Sequence, residues 1–447
     1  MVGKIDKSPQ LSLFEIPLKT FINMKHELCI LSSEIDWDSV EEDFSGYYKN
    51  FGRPSIPIRK IVGLVLLRQI YNLSDEAIID RWIENPYWQY FCGEHVFQKT
   101  KPMDPSEFVH FRKRIGEEGS EKLLKLSIKL FGKEACEKEV LIDSTVQEKN
   151  ITFPTDSKLH KRIVDKVNRI ALKEEVKLRQ SYKRTVKQLM IDQRFRNHPR
   201  RKKKANAAAR RLKTIAGRLV RDLERKLNED EKKKYLADLE LFLKILSQKK
   251  GDKNKIYSIH EPLVRCIAKG KEAKKYEFGN KTGIVLTKNS GVIVGAIAFE
   301  DNPYDGNTLQ QHLEQVEMLT GNKPKVGIVD RGYRGRKKIN GTEIISPKPL
   351  GKTATAYQKR KARIRFRARA GIEPVIGHIK HDHRMLRNYL KGTAGDKINT
   401  MLAAAAFNFK KKLNRIKVEL SYFLIFIQDL IFSAKFQPDM ALKKGTF

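Results

Sequence analysis

Hydrophobic positions along this chain follow two periods. From the start to about residue 139 they recur at helical spacing, most clearly from Ile58 to Tyr71. Asn72-Leu73-Ser74 then reads as a turn, and Ser74 is placed to cap a second helix through Ile83. Helix, short turn, helix is compatible with a DNA-reading module. A plain helical bundle is the commoner outcome where no recognition-helix sequence stands out. The aromatic cluster Trp82, Tyr87, Trp88, Tyr90 and Phe91 reads as core rather than as a stacking platform. Phe108 to Arg114 puts a basic end on an aromatic segment, which suits either phosphates or the C-terminus of a helix.

The second period is that of strands. Val140-Leu-Ile-Asp143 is a short buried-strand pattern ending in a carboxylate. Tyr276 to Gly279 and Thr282 to Lys288 read as one strand or a bent pair. Val292 to Phe299 alternates and follows Asn289-Ser290-Gly291, a good hairpin turn. Asn302 to Gly306 is a loop, and Thr308 can cap a helix to about Leu319. Lys325 to Asp330 is another buried strand ending in a carboxylate, followed by Gly332 and Gly335, which let the backbone approach a bound chain. Thr342 to Ser346 reads as a further strand. Together these predict an α/β fold with a mixed sheet, preceded by a helical domain.

Between the first and second strands, residues 157–255 are highly charged and nearly free of strand signal. Leu212, Ile215, Leu219, Leu223 and Leu227 recur at helical spacing there. The expectation is an all-helical insertion, an antiparallel hairpin of long helices. Its basic runs, Arg200 to Lys204 and Lys232 to Lys234, fit a DNA surface or plain solvated charge.

Helix returns from about Tyr357. Phe366, Arg369, Glu373 and Lys380 stand at i, i+3, i+7 and i+14, within an arc of roughly 60° on an ideal helix. One acid and two bases on one stripe suit a metal and a phosphate. Alone, the stretch reads more simply as a solvated face, and Gly371 and Pro374 are expected to kink it. Asp396 to Leu420 is a final helix with an alanine-rich face, Ala403 to Ala406. Tyr422 to Phe432 is too short to span a bilayer and reads as a packed or partner-facing helix.

Composition sharpens the picture. The 447 residues can bury a large core, and 40% are hydrophobic. The formal charge is +37 and the sequence pI about 9.9. That excess points to a polyanion, nucleic acid first, because neutralised phosphates release counterions. A membrane surface is a weaker fit, since the basic residues spread along the whole chain. The four cysteines, Cys29, Cys92, Cys136 and Cys266, form no CxxC pair and read as buried thiols in a reducing cytoplasm. No apolar signal-peptide core opens the chain.

Three acids stand in suggestive places: Asp143 and Asp330 at strand ends, Glu373 on a later helix. Hard divalent cations held by carboxylates can activate a hydroxyl and stabilise the leaving oxygen of a phosphodiester. With 53 acidic residues in the chain, the choice is not forced. His378, His381 and His383 invite a zinc reading but have no matching cysteine pair, so phosphate contact or plain surface fits better. Asp305 and Asp156 read as loop formers or substrate contacts, with the loop role favoured for Asp305 beside Pro303 and Gly306. Tyr333 could stack on a flipped base or pack beneath the sheet. Pro349 to Thr353 resembles half a P-loop, but its first glycine would fall at Ser346, which excludes nucleotide binding there.

The chain resembles the DDE transposases of bacterial insertion sequences, in the IS-four superfamily and its IS-five branch, over roughly residues 40 to 415. The matching pieces are Gly52-Arg-Pro54, Phe108 to Gly116, Ile142-Asp-Ser-Thr145, Phe153 to Leu159, Tyr276-Glu-Phe-Gly279, Asn302 to Leu309, Asp330 to Gly335, and Gly371 to Asn388 with Gly392 and Gly395-Asp396. The resemblance implies a ribonuclease H-like core in which Asp143, Asp330 and Glu373 are the catalytic triad and bind two Mg²⁺ ions, replaceable by Mn²⁺. The family's Tyr-x2-Arg-x3-Glu-x6-Lys signature falls on Phe366, Arg369, Glu373 and Lys380, with phenylalanine replacing the tyrosine. Arg369 and Lys380 would hold DNA phosphates. Arg331, Tyr333, Arg334, His378, Arg384 and Arg387 are the further implied DNA contacts.

The resemblance also implies an organisation. Residues 1–139 would bind DNA and dimerise. Residues 140–156 with 256–420 would be catalytic, 157–255 a basic insertion and 421–447 a tail. The partners would be double-stranded DNA, namely terminal inverted repeats and target, and a second copy of the chain. The place would be the bacterial cytoplasm, at the nucleoid. A catalytically inactive transposase-derived DNA-binding protein is the alternative. A structural RNA- or ribosome-binding protein is suggested by charge alone.

Overall fold

The structure is a computed structural model. It describes residues 1–3, 15–194, 196–249, 251–268, 275–333, 335, 337–347 and 354–435, the last without the side chains of 423, 424 and 426–435. Pro349 to Thr353 therefore lies outside the described residues.

The N-terminal part is helical. Its longer elements are Glu27–Glu34, Trp37–Ser45, Ile58–Ile70, Asp75–Glu84 and Ser106–Lys129. Local chemistry sets their starts: the side chains of Asp36 and Ser74 accept from the amides of Ser39 and Ala77. Asn72 adopts φ 55° in the turn between Ile58–Ile70 and Asp75–Glu84. Ser106–Lys129 is broken at Gly116, where φ is 58° and ψ −150°. The basic residues Arg112 to Arg114 thus sit in the last turn before a break. Trp82, Trp88 and Phe91 are buried, as core residues should be.

Eight strands form one sheet among the described residues. They are β1 Glu139–Lys149, β2 Arg265–Ala268, β3 Tyr276–Thr287, β4 Ile293–Ala298, β5 Val326–Ile328, β6 Lys338–Ile339, β7 Thr342–Ile345 and β8 Arg387–Asn388. β1 is central. It pairs antiparallel with β3 and parallel with β5 and β8, while β3 pairs antiparallel with β4 and β5 parallel with β7. Five of the strands therefore lie in the order β4, β3, β1, β5, β7.

Several expectations need correction. β1 does not end at Asp143. It runs six residues further because Ser144 to Glu148 continue the ladder with β3. The helix after β4 starts at Asp305, so Asp305 lies in a first helical turn rather than a loop, where its charge suits the helix dipole. Thr308 does not cap it. Its hydroxyl donates back to the Asp305 carbonyl (2.7 Å). The insertion is four helices rather than a hairpin: Asp156–Lys173, Lys183–Asp192, Pro199–Lys226 and Glu229–Ser247. Tyr182, at φ 52°, and the capping box of Asn228 and Glu231 supply the extra boundaries.

Leu212, Ile215, Leu219, Leu223 and Leu227 are buried in a core that the insertion makes with its own helices. A second, larger core joins the N-terminal helices to both faces of the sheet and to the last helix, Gly392–Lys435. Ala403 to Ala406 are fully buried there, so small side chains let that helix approach closely. In the run Tyr422 to Phe432 the backbone is helical, and Tyr422 and Ile425 are exposed. Cys136 is also exposed, against expectation, because it follows a short 3-10 turn at the surface.

Candidate functional site

Phe366 to Lys380 is not one helix. The helix Ala356–Arg369 ends at Ala370, and Ile372–Asp382 begins after Gly371. Arg369 is therefore the last residue of one helix, and Glu373 and Pro374 sit in the first turn of the next, where proline lacks no needed hydrogen bond. The first helix is tied to the sheet by Arg365, which donates to Glu139 of β1 (2.6 Å). Phe366 packs half-buried against the main core.

The Arg369 guanidinium sits among three carboxylates. Its Nη2 donates to Asp143 Oδ2 (3.0 Å) and lies 3.7 Å from Asp330 Oδ2; its Nη1 donates to Glu373 Oε1 (3.3 Å). Asp143 comes from the middle of β1, Asp330 from two residues beyond β5, and Glu373 from the helix that follows. Neighbouring amides set two of the carboxylates: Ser144 donates to Asp143 Oδ1 (2.8 Å) and Gly332 to Asp330 Oδ1 (2.7 Å). Asp143 is largely buried, Asp330 partly so, and Glu373 exposed.

A fourth acid stands beside them. Asp305 Oδ1 accepts from Ser144 Oγ (2.8 Å) and Lys281 Nζ (3.0 Å). A Cβ on Gly332 would lie 2.9 Å from Asp330 Oδ1 and 3.6 Å from Asp305 Oδ2, so Gly332 separates these two acids. Tyr333 is buried below. Burial, with the charges of Asp305 and Asp143, pushes its phenol well above the usual range.

The donor set of Asp143, Asp330 and Glu373, all carboxylate oxygen, suits a hard divalent cation chemically. As the side chains stand, each faces Arg369, and no group of three or more Asp, Glu, His or Cys is in metal-binding geometry among the described residues.

Comparison with known proteins adds the decisive observation. A family model described as "Transposase domain (DUF772)" matches residues 16–114, and one described as "Transposase DDE domain" matches residues 250–409. A relative in Rhizobium meliloti, "Uncharacterized protein ORF8 in nfe locus", is 40% identical over 193 residues, 42% of this chain and 93% of the relative. The chain carries two transposase domains, the second of the DDE type. No solved structure matches it.

The second match ends beyond Glu373, so Asp143 alone of the three acids falls outside both matched spans. Of the other residues expected from the sequence to contact DNA, Arg331 and Arg387 are exposed, and Lys380 and Arg384 are half-buried. His378 is exposed and bonded to Asp382 (2.7 Å). Arg334 lies outside the described residues. Tyr333 is a correction: it is 4% exposed and has no face left for a base. The zinc reading also fails on placement. His383 is buried, with Nδ1 on the Gln69 carbonyl (3.2 Å) and its pKa lowered by burial to about 4, while His378 and His381 are exposed. The run Lys232 to Lys234 pairs with Glu229, Asp230 and Glu174, the pattern of solvated charge.

Sequence reasoning missed Ser144, Lys281 and the true place of Asp305. No local pattern marks a carboxylate whose partners lie 161 and 24 residues away. Among the described residues, no helix is long and apolar enough to cross a membrane.

Proposed function

We propose that this transposase cuts DNA at the ends of its own insertion sequence and joins the exposed ends to target DNA. It does so with divalent cations, Mg²⁺ by preference, held by Asp143, Asp330 and Glu373. One observation carries the reading: carboxylates from three separate elements converge on one guanidinium, at 3.0, 3.7 and 3.3 Å. Four acids would repel one another strongly without such compensation, so their convergence fits a site made for cations. The strand order β4, β3, β1, β5, β7 supports a ribonuclease H-type core, and the residue pattern supports the IS-five branch.

The residues divide the work. Asp143 is held by a rigid central strand, and its amide neighbour Ser144 fixes the carboxylate. Gly332 does the same for Asp330. A bound cation supplies the Lewis-acid charge that activates an attacking hydroxyl and steadies the leaving oxygen. Arg369 presents a planar fork that fits phosphate as well as carboxylate, and Lys380 offers a point charge seven residues beyond Glu373. A water-derived hydroxyl first opens the strand; the released 3′-hydroxyl then attacks the target phosphodiester in line. Two ends must be held at once, which calls for a dimer on DNA. The N-terminal helices and basic insertion would bind the terminal inverted repeats, and the protein would work at the nucleoid.

The test is strand cleavage of a duplex taken from the DNA flanking the gene. Wild-type protein should nick it with Mg²⁺ and not with chelator, and Asp330→Asn should lose the activity by about a thousandfold, the scale of several kcal/mol of charge stabilisation. Cleavage unchanged in Asp330→Asn overturns the assignment. Specific end binding without cleavage by the wild type would favour a silent descendant that only binds DNA.

A further inference from the structure

A cleft of about 1080 Å³ lies between the N-terminal helices and the segment that follows Glu373. One wall carries Arg68, Asp75, Arg112 and Lys113; the other carries Lys380, Arg384, Arg387 and Lys391. Two side-chain amides brace the walls. Gln69 Nε2 donates to the His383 carbonyl (2.8 Å), and Asn72 Nδ2 to the His381 carbonyl (2.8 Å). Both walls share one hydrophobic core, so the cleft is built into the fold.

Its floor holds surplus positive charge. Arg112 grips Asp75 with two hydrogen bonds (3.1 and 2.6 Å), and Arg68 pairs with the same carboxylate. Both arginines are buried. Arg384 faces the same carboxylate electrostatically and stands 5.7 Å over the Tyr389 ring. Three guanidiniums face the Asp75 carboxylate, and Arg384 also feels the exposed Glu76, so the floor keeps a net positive charge of about one. Desolvated cations are costly unless an anion joins them. Lys113, Arg387 and Lys391 add exposed charge at the rim, and Glu76 is the other acid that lines the cleft.

The cleft is also near the carboxylates. Glu373 and Lys380 lie seven residues apart on one helix, about 10 Å along its axis and on the same face. At 3.4 Å per base pair, that is about three base pairs of duplex.

We propose that this cleft is a phosphodiester site that grips the double-stranded DNA beside the cut, with Arg68, Arg112 and Arg384 as its floor and Lys113, Arg387 and Lys391 as its rim. It rests on the proposed DNA reading and gives it a place. The pattern at Phe108 to Arg114 gains a role here: Lys113 lies in the turn before the Gly116 break and faces DNA.

The test uses full-length protein and a duplex of arbitrary sequence, with affinity measured against salt. The rim variant Lys113→Gln/Arg387→Gln/Lys391→Gln changes exposed residues only. The control variant Lys125→Gln/Lys129→Gln/Lys133→Gln removes the same charge outside the cleft. Each lost phosphate contact should lower the log-log salt slope by about 0.9, so the rim variant should lose between about 2 and 3 and the control little. A wild type that binds duplex, with equal slopes in both variants, overturns the cleft and leaves it to an acidic protein partner. A wild type that binds no duplex overturns the DNA reading itself, and the cleft with it.

Discussion

Arg369 and Asp143 are 226 residues apart and joined by a 3.0 Å hydrogen bond, with the two side chains only 19% and 13% exposed. Asp330 and Glu373 complete the ring of acids around the same guanidinium. Removing that cation leaves three carboxylates facing one another, and breaking a largely buried pair costs about 3 kcal/mol or more. Arg369→Ala should therefore unfold at lower temperature than wild type in chelator. Mg²⁺ should then raise its melting temperature more than it raises that of the wild type, because the ion meets no competing guanidinium. Equal Mg²⁺ responses in thermal denaturation would argue that these acids do not form a cation site.

Gly332 offers a more local probe. Its amide holds Asp330, and an added Cβ would sit 2.9 Å from Asp330 Oδ1. Gly332 is exposed and has no left-handed backbone to strain, so Gly332→Ala should fold normally. The carboxylate must shift, and displacements near 1 Å in a reacting site cost about a hundredfold. The expected result is unchanged thermal stability with strand cleavage down by ten- to a hundredfold. Wild-type cleavage rates in this variant would show that the position of Asp330 does not matter.

Three buried histidines set the acid limit. Burial lowers His160, His312 and His383 each to about 4. Their unfolded value is about 6.5, so the unfolded chain binds the proton first as pH falls. Stability from each is fully present above about 6.5 and is lost progressively toward 4. At 1.36 kcal/mol per pH unit, each accounts for up to about 3 kcal/mol over that interval. Urea unfolding should show a steep loss of stability between pH 6.5 and 4.5. His383→Gln should flatten the slope by roughly one proton; an unaltered slope would mean that His383 is already protonated in the fold.

How much of this was legible beforehand depends on where the information lies. β3, β4 and the leucine face of the insertion follow from periods in their own residues, and Ser74 caps its helix as its position implies. β8 is two residues long and exists only because Glu148 and Lys149 offer it a partner. No pattern inside Arg387-Asn388 could announce it. The length of β1 was missed for the same reason: residues after Asp143 are strand because β3 lies beside them. Arg369, Glu373 and Lys380 were visible as a spacing, but the break at Gly371 turns that spacing into two helices. That the guanidinium meets acids from other elements is a property of the assembled sheet. The Asp75 cluster was invisible too, since Arg68 and Arg112 reach it from separate helices.

Asp305 is the residue whose role changed most. It opens a helix, accepts from Ser144 (2.8 Å) and pairs with Lys281 (3.0 Å), whose ammonium also donates to the Pro303 carbonyl (2.6 Å). It shares Gly332 as a neighbour with Asp330, and its charge helps raise the pKa of the buried Tyr333 phenol. Asp305→Asn preserves shape and can keep the bond from Ser144, but it removes one negative charge from beside the other acids. A single charge within several ångströms, at an effective dielectric near 20, is worth about 1–2 kcal/mol. The concentration of Mg²⁺ that half-saturates strand cleavage should then rise roughly fivefold or more, while the rate at saturating Mg²⁺ changes little. Asp305→Ala should additionally lower stability, because the Ser144 hydroxyl loses this acceptor and Lys281 keeps only the Pro303 carbonyl, without its charge partner. A Mg²⁺ titration that superimposes on wild type in Asp305→Asn would return Asp305 to a purely structural role at the head of its helix.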